Sequence, residues 1–348
     1  MLTAQNQIGV YQFNSTFKDA IVTNQKQVVF DHDILWNLFS FEKFGKELAF
    51  NSKNARDTWL IEITGGPEQD CDTCPNYRYE DMIDYYWPAL VAGVEYYSGQ
   101  NKIDYIGHSN GCRSALDSLK NWSATGKKNA GYCFNTVTGK YDVVCNLSAI
   151  PVDAFVGIAC PGAFDGYSSY AYYFNKSADE LKNNLVVNKH VTGGELSKSL
   201  LNSKNCKISF NCILTAGSLL LIGDNAISYS LGDKYLYFIQ NNSDSQLGIN
   251  LNINRLLVYN GIINRATSIL YDRPINTEHD LMVSTQDGDA IYNNIQANKK
   301  YHFESYGIHA GTSALAIYGR DITKRVIREF LNNQTFSSSD KKYLVEED

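Results

Sequence analysis

The run Ile103-Asp104-Tyr105-Ile106 passes without a spacer into Gly107-His108-Ser109-Asn110-Gly111, and helical patterning resumes by Ser114. No other stretch limits the possible folds as sharply. A strand that becomes a helix within a few residues has to turn tightly. The residue at the apex takes strained backbone geometry, and only small neighbours let the two elements pass each other. Gly107 and Gly111 supply that clearance on either side of Ser109. Such a turn lifts the serine hydroxyl off the sheet, while the start of the helix aims backbone amides at any negative charge that develops there.

Similar alternation runs along the chain. Val28-Val29-Phe30, Trp59 to Ile63, Ile103 to Ile106, Val152 to Ile158, Leu256 to Tyr259 and Tyr301 to Phe303 read as strands. Between them, Trp36 to Phe50, Tyr79 to Tyr97, Ser114 to Trp122 and Ala314 to Asn332 carry apolar residues at helical spacing. Strands alternating with helices predict an α/β fold with a mostly parallel central sheet flanked by helices. A hairpin is expected around Cys133 and Cys145, and Ser337 to Asp348 reads as a polar, frayed tail.

One stretch breaks the rhythm. From Phe164 to Asn254, about 90 residues separate two expected strands, far more than a simple crossover requires. The expected organisation is a core of residues 1–163 and 255–348 with a cap or lid insertion over 164–254. Tyr170 to Phe174, Ile213-Leu214 and Leu219 to Ile222 would give that cap apolar surface, either towards a substrate or as its own core.

Composition excludes several classes. The 348 residues carry a formal net charge of −6 with no clustered basic face, so no nucleic-acid partner is expected. No apolar run reaches 18 residues, so no integral membrane segment is expected. The eight cysteines include the close pairs Cys71/Cys74, Cys133/Cys145 and Cys206/Cys212, leaving Cys112 and Cys160 as a fourth bridge or as buried thiols. Even number and local pairing point to an oxidising compartment. Six sequons, at Asn14, Asn121, Asn146, Asn175, Asn241 and Asn333, are compatible with an extracellular or cell-surface protein whose signal has been removed; a cytoplasmic protein starting at Met1 is the alternative.

A serine nucleophile needs a base within hydrogen-bond reach, and the base an orienting acid. Of six histidines, His309 lies in the Gly-flanked loop Tyr306 to Gly311, directly after the last expected strand. His302 falls inside that strand and reads as half-buried structure. Asp280 follows the Leu256–Tyr259 strand and its extension; Asp287 and Asp289 are rivals within a Gly-containing turn, and Asp272 is a weaker one.

Strand, Gly107-His108-Ser109-Asn110-Gly111, helix, then Asp280 and His309 in that order resembles the α/β-hydrolase superfamily, lipases and esterases in particular. The resemblance covers about Gln27 to Asn332, with the insertion unmatched. It implies Ser109 as nucleophile, Asp280 as acid, His309 as base, and an oxyanion hole whose first donor is the Asn110 amide. Where the family has His-Gly, this chain has His32-Asp33. The second donor is therefore placed at Ile34, with Asp33 or Gly65-Gly66 as alternatives. The resemblance further implies a small-molecule or lipid ester as substrate, no cofactor and no metal, and leaves the oligomeric state open. Thioesterase, polyester depolymerase or peptidase activity would suit the same machinery. A non-catalytic hydrolase-like binding protein is the rival from another class, and the intact Ser, Asp and His set argues against it.

Overall fold

A computed structural model describes residues 10–13, 26–31, 41–51, 53–61, 80, 82–125, 129–135, 137–161, 198, 201–202, 247–248, 250–262, 280, 283–306 and 321–347. The strands of the main sheet are β1 (Val10–Phe13), β2 (Gln27–Asp31), β3 (Asp57–Ile61), β4 (Ile103–His108), β7 (Val152–Ile158), β8 (Asn252–Ile262), β9 (Gln296–Tyr306) and β10 (Leu344–Glu347). They lie in the order β1-β3-β2-β4-β7-β8-β9-β10, and β5 (Asn129–Asn135) and β6 (Lys140–Asn146) form a separate hairpin. The run from β3 to β9 is parallel, and β1 and β10 pair antiparallel at its two edges.

Both faces of the sheet are covered, which is why its central strands are apolar throughout. The helices are α1 (Glu42–Ala49), α2 (Trp87–Ser98), α3 (Asn110–Thr125), α4 (Thr285–Asn294) and α5 (Asp321–Leu331). Successive side chains on a strand point to opposite faces, so Tyr105, Phe155 and Val258 enter one core with Trp87, Leu116 and Ile291 from α2, α3 and α4. Ile106, Val156 and Leu257 enter the other with Phe44 of α1 and Ile327 of α5. Each expected strand and helix overlaps an observed one, Val152–Ile158 matches at both ends, and β8 and β9 run well beyond the expected Leu256–Tyr259 and Tyr301–Phe303. The helix expected from Tyr79 opens as a π-turn over Met82–Tyr86. Pro88 explains the change of form, because it has no N–H for the carbonyl of Asp84 four residues back.

Two expectations fail. The tail is not frayed. Arg325 grips the fully buried carboxylate of Asp340 through two nitrogens, which holds that carboxyl below the usual range, and β10 then pairs with β9. Nor do Asp287 and Asp289 sit in a turn: they belong to α4. Ser284 caps that helix by accepting from the Asp287 amide, and Asp287 accepts from the Ser284 amide in return.

At the amino end of the sheet, a buried carboxylate ties four elements together. Asp104, at the start of β4, has no solvent exposure. It accepts from Arg56 Nη1 at 2.6 Å and Arg255 Nη2 at 3.3 Å, and Lys26 Nζ lies 2.8 Å away. The same two arginines donate to the last carbonyls of α5, Arg255 to Phe330 at 2.8 Å and Arg56 to Leu331. Cations at a helix C-terminus also match its dipole. Two bridges join cysteines among the described residues: Cys133–Cys145 across the hairpin, with Cα atoms 5.7 Å apart, and Cys112–Cys160, 5.4 Å apart. The pairs Cys71–Cys74 and Cys206–Cys212 lie outside the described residues, as does nearly all of the insertion.

Removing one partner from a buried ion pair strands the other charges. Asp104→Ala should therefore lower the unfolding free energy by ~3–5 kcal/mol in a urea titration. A loss below ~1 kcal/mol, typical of an exposed pair, would show that the network is not structural.

Candidate active site

Ser109 sits between β4 and α3 with φ at +50°, in the left-handed region that a non-glycine residue rarely occupies. Two backbone hydrogen bonds hold it there. Its amide donates to the Ile158 carbonyl at 2.9 Å, and its carbonyl accepts from the Arg113 amide at 3.0 Å, closing the first turn of α3. The glycine before the apex is required by space alone. A Cβ on Gly107 would lie 2.7 Å from both the Cα and the amide nitrogen of Cys112. The neighbouring strand is shaped to match, since a Cβ on Gly157 would meet the Cys112 sulfur at 3.0 Å. The bridge from Cys112, three residues beyond the serine, to Cys160 thus fastens the helix to the segment just after β7.

Asn110 begins α3, so its amide is at the amino end of the helix. With the positive end of the helix dipole behind it, this amide suits an oxyanion. Ser109 and Asn110 are both buried among the described residues.

Asp280 is buried, four residues before Ser284, the cap of α4. Its Oδ1 accepts from the Val283 amide at 2.7 Å, and its own amide donates to the Val283 carbonyl at 3.1 Å. These two bonds tie Asp280 to Val283, just ahead of α4. In a parallel sheet the crossover helix starts at the carboxyl edge and returns to the amino edge. Asp280, just before α4, therefore shares the edge that carries Ser109. Strand β9 also ends at this edge, with Tyr306, three residues before His309. His309, Ile34, Asp33, Gly65 and Gly66 lie outside the described residues, as do His32, His279 and Asp272.

A polar link behind the serine has no local signature in the sequence. The Tyr105 hydroxyl lies 2.6 Å from Asp31 Oδ2 and 2.8 Å from the Gly111 carbonyl, and accepts from Trp87 Nε1 at 2.9 Å. Burial, and next the Asp31 charge, raises the phenol pKa well above its usual value, so the hydroxyl keeps its proton. Asp31 ends β2 and immediately precedes His32-Asp33-Ile34. Tyr105 thus joins the first turn of α3 to the segment expected to supply the second oxyanion donor. A buried tyrosine needs a partner for its hydroxyl, but nothing local in the sequence names Asp31.

His302, expected to be half-buried, is fully buried on β9 and stacks on Tyr292 of α4 at 6.1 Å. Burial pushes its pKa down to about 4, so the imidazole is neutral at physiological pH. Asp289 and Glu304 stand beside it.

Tyr105→Phe leaves the Trp87 indole N–H without its acceptor in a buried site, and should cost ~1–3 kcal/mol of stability in chemical denaturation. Unchanged stability would mean that the hydroxyl contributes nothing to holding β2 against α3.

No family profile and no curated protein matches this sequence. Solved structures do match. An esterase from Exiguobacterium antarcticum is similar over 94% of this chain and 96% of its own, with a TM-score of 0.53 at 13% identity. A hydrolase from Oleispira antarctica covers 95% and 96% at 0.52 and 10% identity. A thermophilic esterase from Thermogutta terrifontis covers 94% and 93% at 0.51 and 11% identity. With its strand order and its serine turn between β4 and α3, this chain has the α/β-hydrolase fold.

Proposed function

We propose that the protein is a serine hydrolase acting on carboxylic esters, with Ser109 as nucleophile, His309 as base and Asp280 as acid. The observation that carries this reading is the left-handed Ser109 at the strand-to-helix turn, followed at once by the first amide of α3. Strain of this kind costs stability and persists where the surroundings over-determine it, commonly at functional sites. The esterases and hydrolases among the structural neighbours support the same chemistry.

The mechanism runs in two halves. Ser109 Oγ bonds to the ester carbonyl carbon while its proton passes to His309. The amides of Asn110 and Ile34 hold the resulting oxyanion, and Asp280 orients the imidazole and stabilises its cation. Collapse expels the alcohol, which takes the proton from His309. Water then attacks the acyl-enzyme with His309 again as base, releasing the acid and restoring Ser109.

Residues 164–254 act in this reading as a cap, and Leu219 to Ile222 offer apolar surface to the acyl chain. Loops leaving the carboxyl ends of parallel strands gather at the ligand edge, and β7 ends there with Ile158. The two bridged cysteine pairs favour an extracellular setting.

On p-nitrophenyl esters, Ser109→Ala and His309→Ala should each lower kcat by about 10^6-fold, and Asp280→Asn by about 10^4-fold, as in other triads. Full activity in His309→Ala, with loss in His302→Ala, would overturn the base. For the cap, Leu220→Asp should raise KM for long-chain esters far more than for acetate esters. An equal effect on both would make this segment part of the cap's own interior.

A further inference from the structure

His302 and Glu304 are two residues apart on β9, so they project from the same face of the sheet. The parallel register sets Asn260 of β8 opposite Glu304 and Val258 opposite His302, which places Asn260 beside both polar residues. Helix α4 crosses this face and brings Asp289 over it. His302 Nδ1 lies 3.4 Å from Asp289 Oδ1, and Nε2 lies 3.7 Å from Glu304 Oε1 and 3.3 Å from Asn260 Nδ2.

Two details make this more than a chance cluster. The Asn260 side chain fits only because position 288 is glycine: a Cβ there would lie 1.9 Å from Asn260 Nδ2. That amide is 2% exposed, and its Oδ1 has no hydrogen-bond partner among the described residues. A buried acceptor left without a donor is costly. Lys300, the next residue on this face, does not answer it, because its ammonium is engaged by the carbonyl and ring of Tyr292.

We propose that His302, Glu304 and Asn260 bind one borderline divalent cation, zinc foremost, with Asp289 holding the imidazole in place. Ligand atoms of Asp289, His302 and Glu304 lie within 4.8 Å of one another. The cation sits against Nε2, and Glu304 and the Asn260 oxygen complete its protein ligands once the amide turns half a revolution. His302 Nδ1 makes no hydrogen bond among the described residues and lies 3.4 Å from Asp289 Oδ1, so with the ion bound Asp289 would accept from Nδ1–H, the carboxylate–histidine–metal arrangement that fixes the ring and raises its basicity. Bonds of 2.0–2.1 Å around tetrahedral zinc set ligand atoms about 3.4 Å apart, close to the 3.3 and 3.7 Å found around Nε2. An imidazole ligand and this close spacing disfavour calcium, which takes oxygen ligands at longer range. Two carboxylates balance the charge of a dication. Asp289, with its side chain 47% exposed, opens a path to solvent. The bound ion would clamp α4, which follows Asp280, to β9, which leads to His309, whatever reaction the protein performs.

The test uses the full chain, stripped with EDTA and titrated with zinc chloride or calcium chloride by calorimetry and equilibrium dialysis. One zinc per chain should bind, and zinc should raise the melting temperature of the wild type. Glu304→Gln and Asp289→Asn should each weaken the site by at least about 10-fold and reduce the thermal shift; both positions are partly exposed, so the variants should fold. His302→Gln should remove the site. No zinc binding, equal affinity in wild type and both carboxamide variants, or a preference for calcium would each overturn the proposal.

Discussion

The structure depends on how closely α3 approaches β4. At Gly107 the backbone of Cys112 comes so near that a single methyl group would collide with it. This packing begins the helix directly against the sheet, next to the left-handed Ser109, and it leaves little room for a side chain at Gly157 on the next strand. The hydrogen bond from the Ser109 amide to Ile158 and the bridge from Cys112 to Cys160 both pull the helix towards β7. Steric exclusion, a hydrogen bond and a covalent link therefore act on the same few residues. Strain at one position can persist where so many contacts converge.

Strand β4 is anchored on both of its faces. Asp104, at its start, is buried with Arg56 and Arg255, which also cap α5. Tyr105, next along, reaches the opposite core and ties Asp31 to Gly111. Adjacent residues on one strand thus fasten the sheet to α5 on one face and to the serine turn on the other. Such an arrangement fixes the strand that leads into the serine turn on both of its faces.

The parts of this design that rest on short-range constraint were legible in the sequence. Glycine spacing around Ser109 is a local steric rule, and the unbroken apolar run of Val152 to Ile158 marks a strand buried on both faces. What escaped depends on distant partners. Nothing near Val10 to Phe13 shows that it pairs with β3, and the tail looked frayed because Arg325, the partner of Asp340, is 15 residues earlier. Tyr105 and Asp31 are 74 residues apart. Helix α4 is a different case. Gly288 and two aspartates imitate a turn, yet Ser284 and Asp287 stand at capping-box spacing, a signal that outweighs the low helix propensity of one glycine. Gly288 then has a packing reason, since it makes room for Asn260.

The central claim is that the strained serine of the β4–α3 turn is a nucleophile, and covalent labelling tests it most directly. The protein would be treated with a fluorophosphonate at neutral pH, digested, and its adducts mapped by mass spectrometry. A single stoichiometric adduct on Ser109, abolished by prior unfolding, is the predicted result. No adduct, or labelling of another serine with Ser109 unmodified, would contradict it.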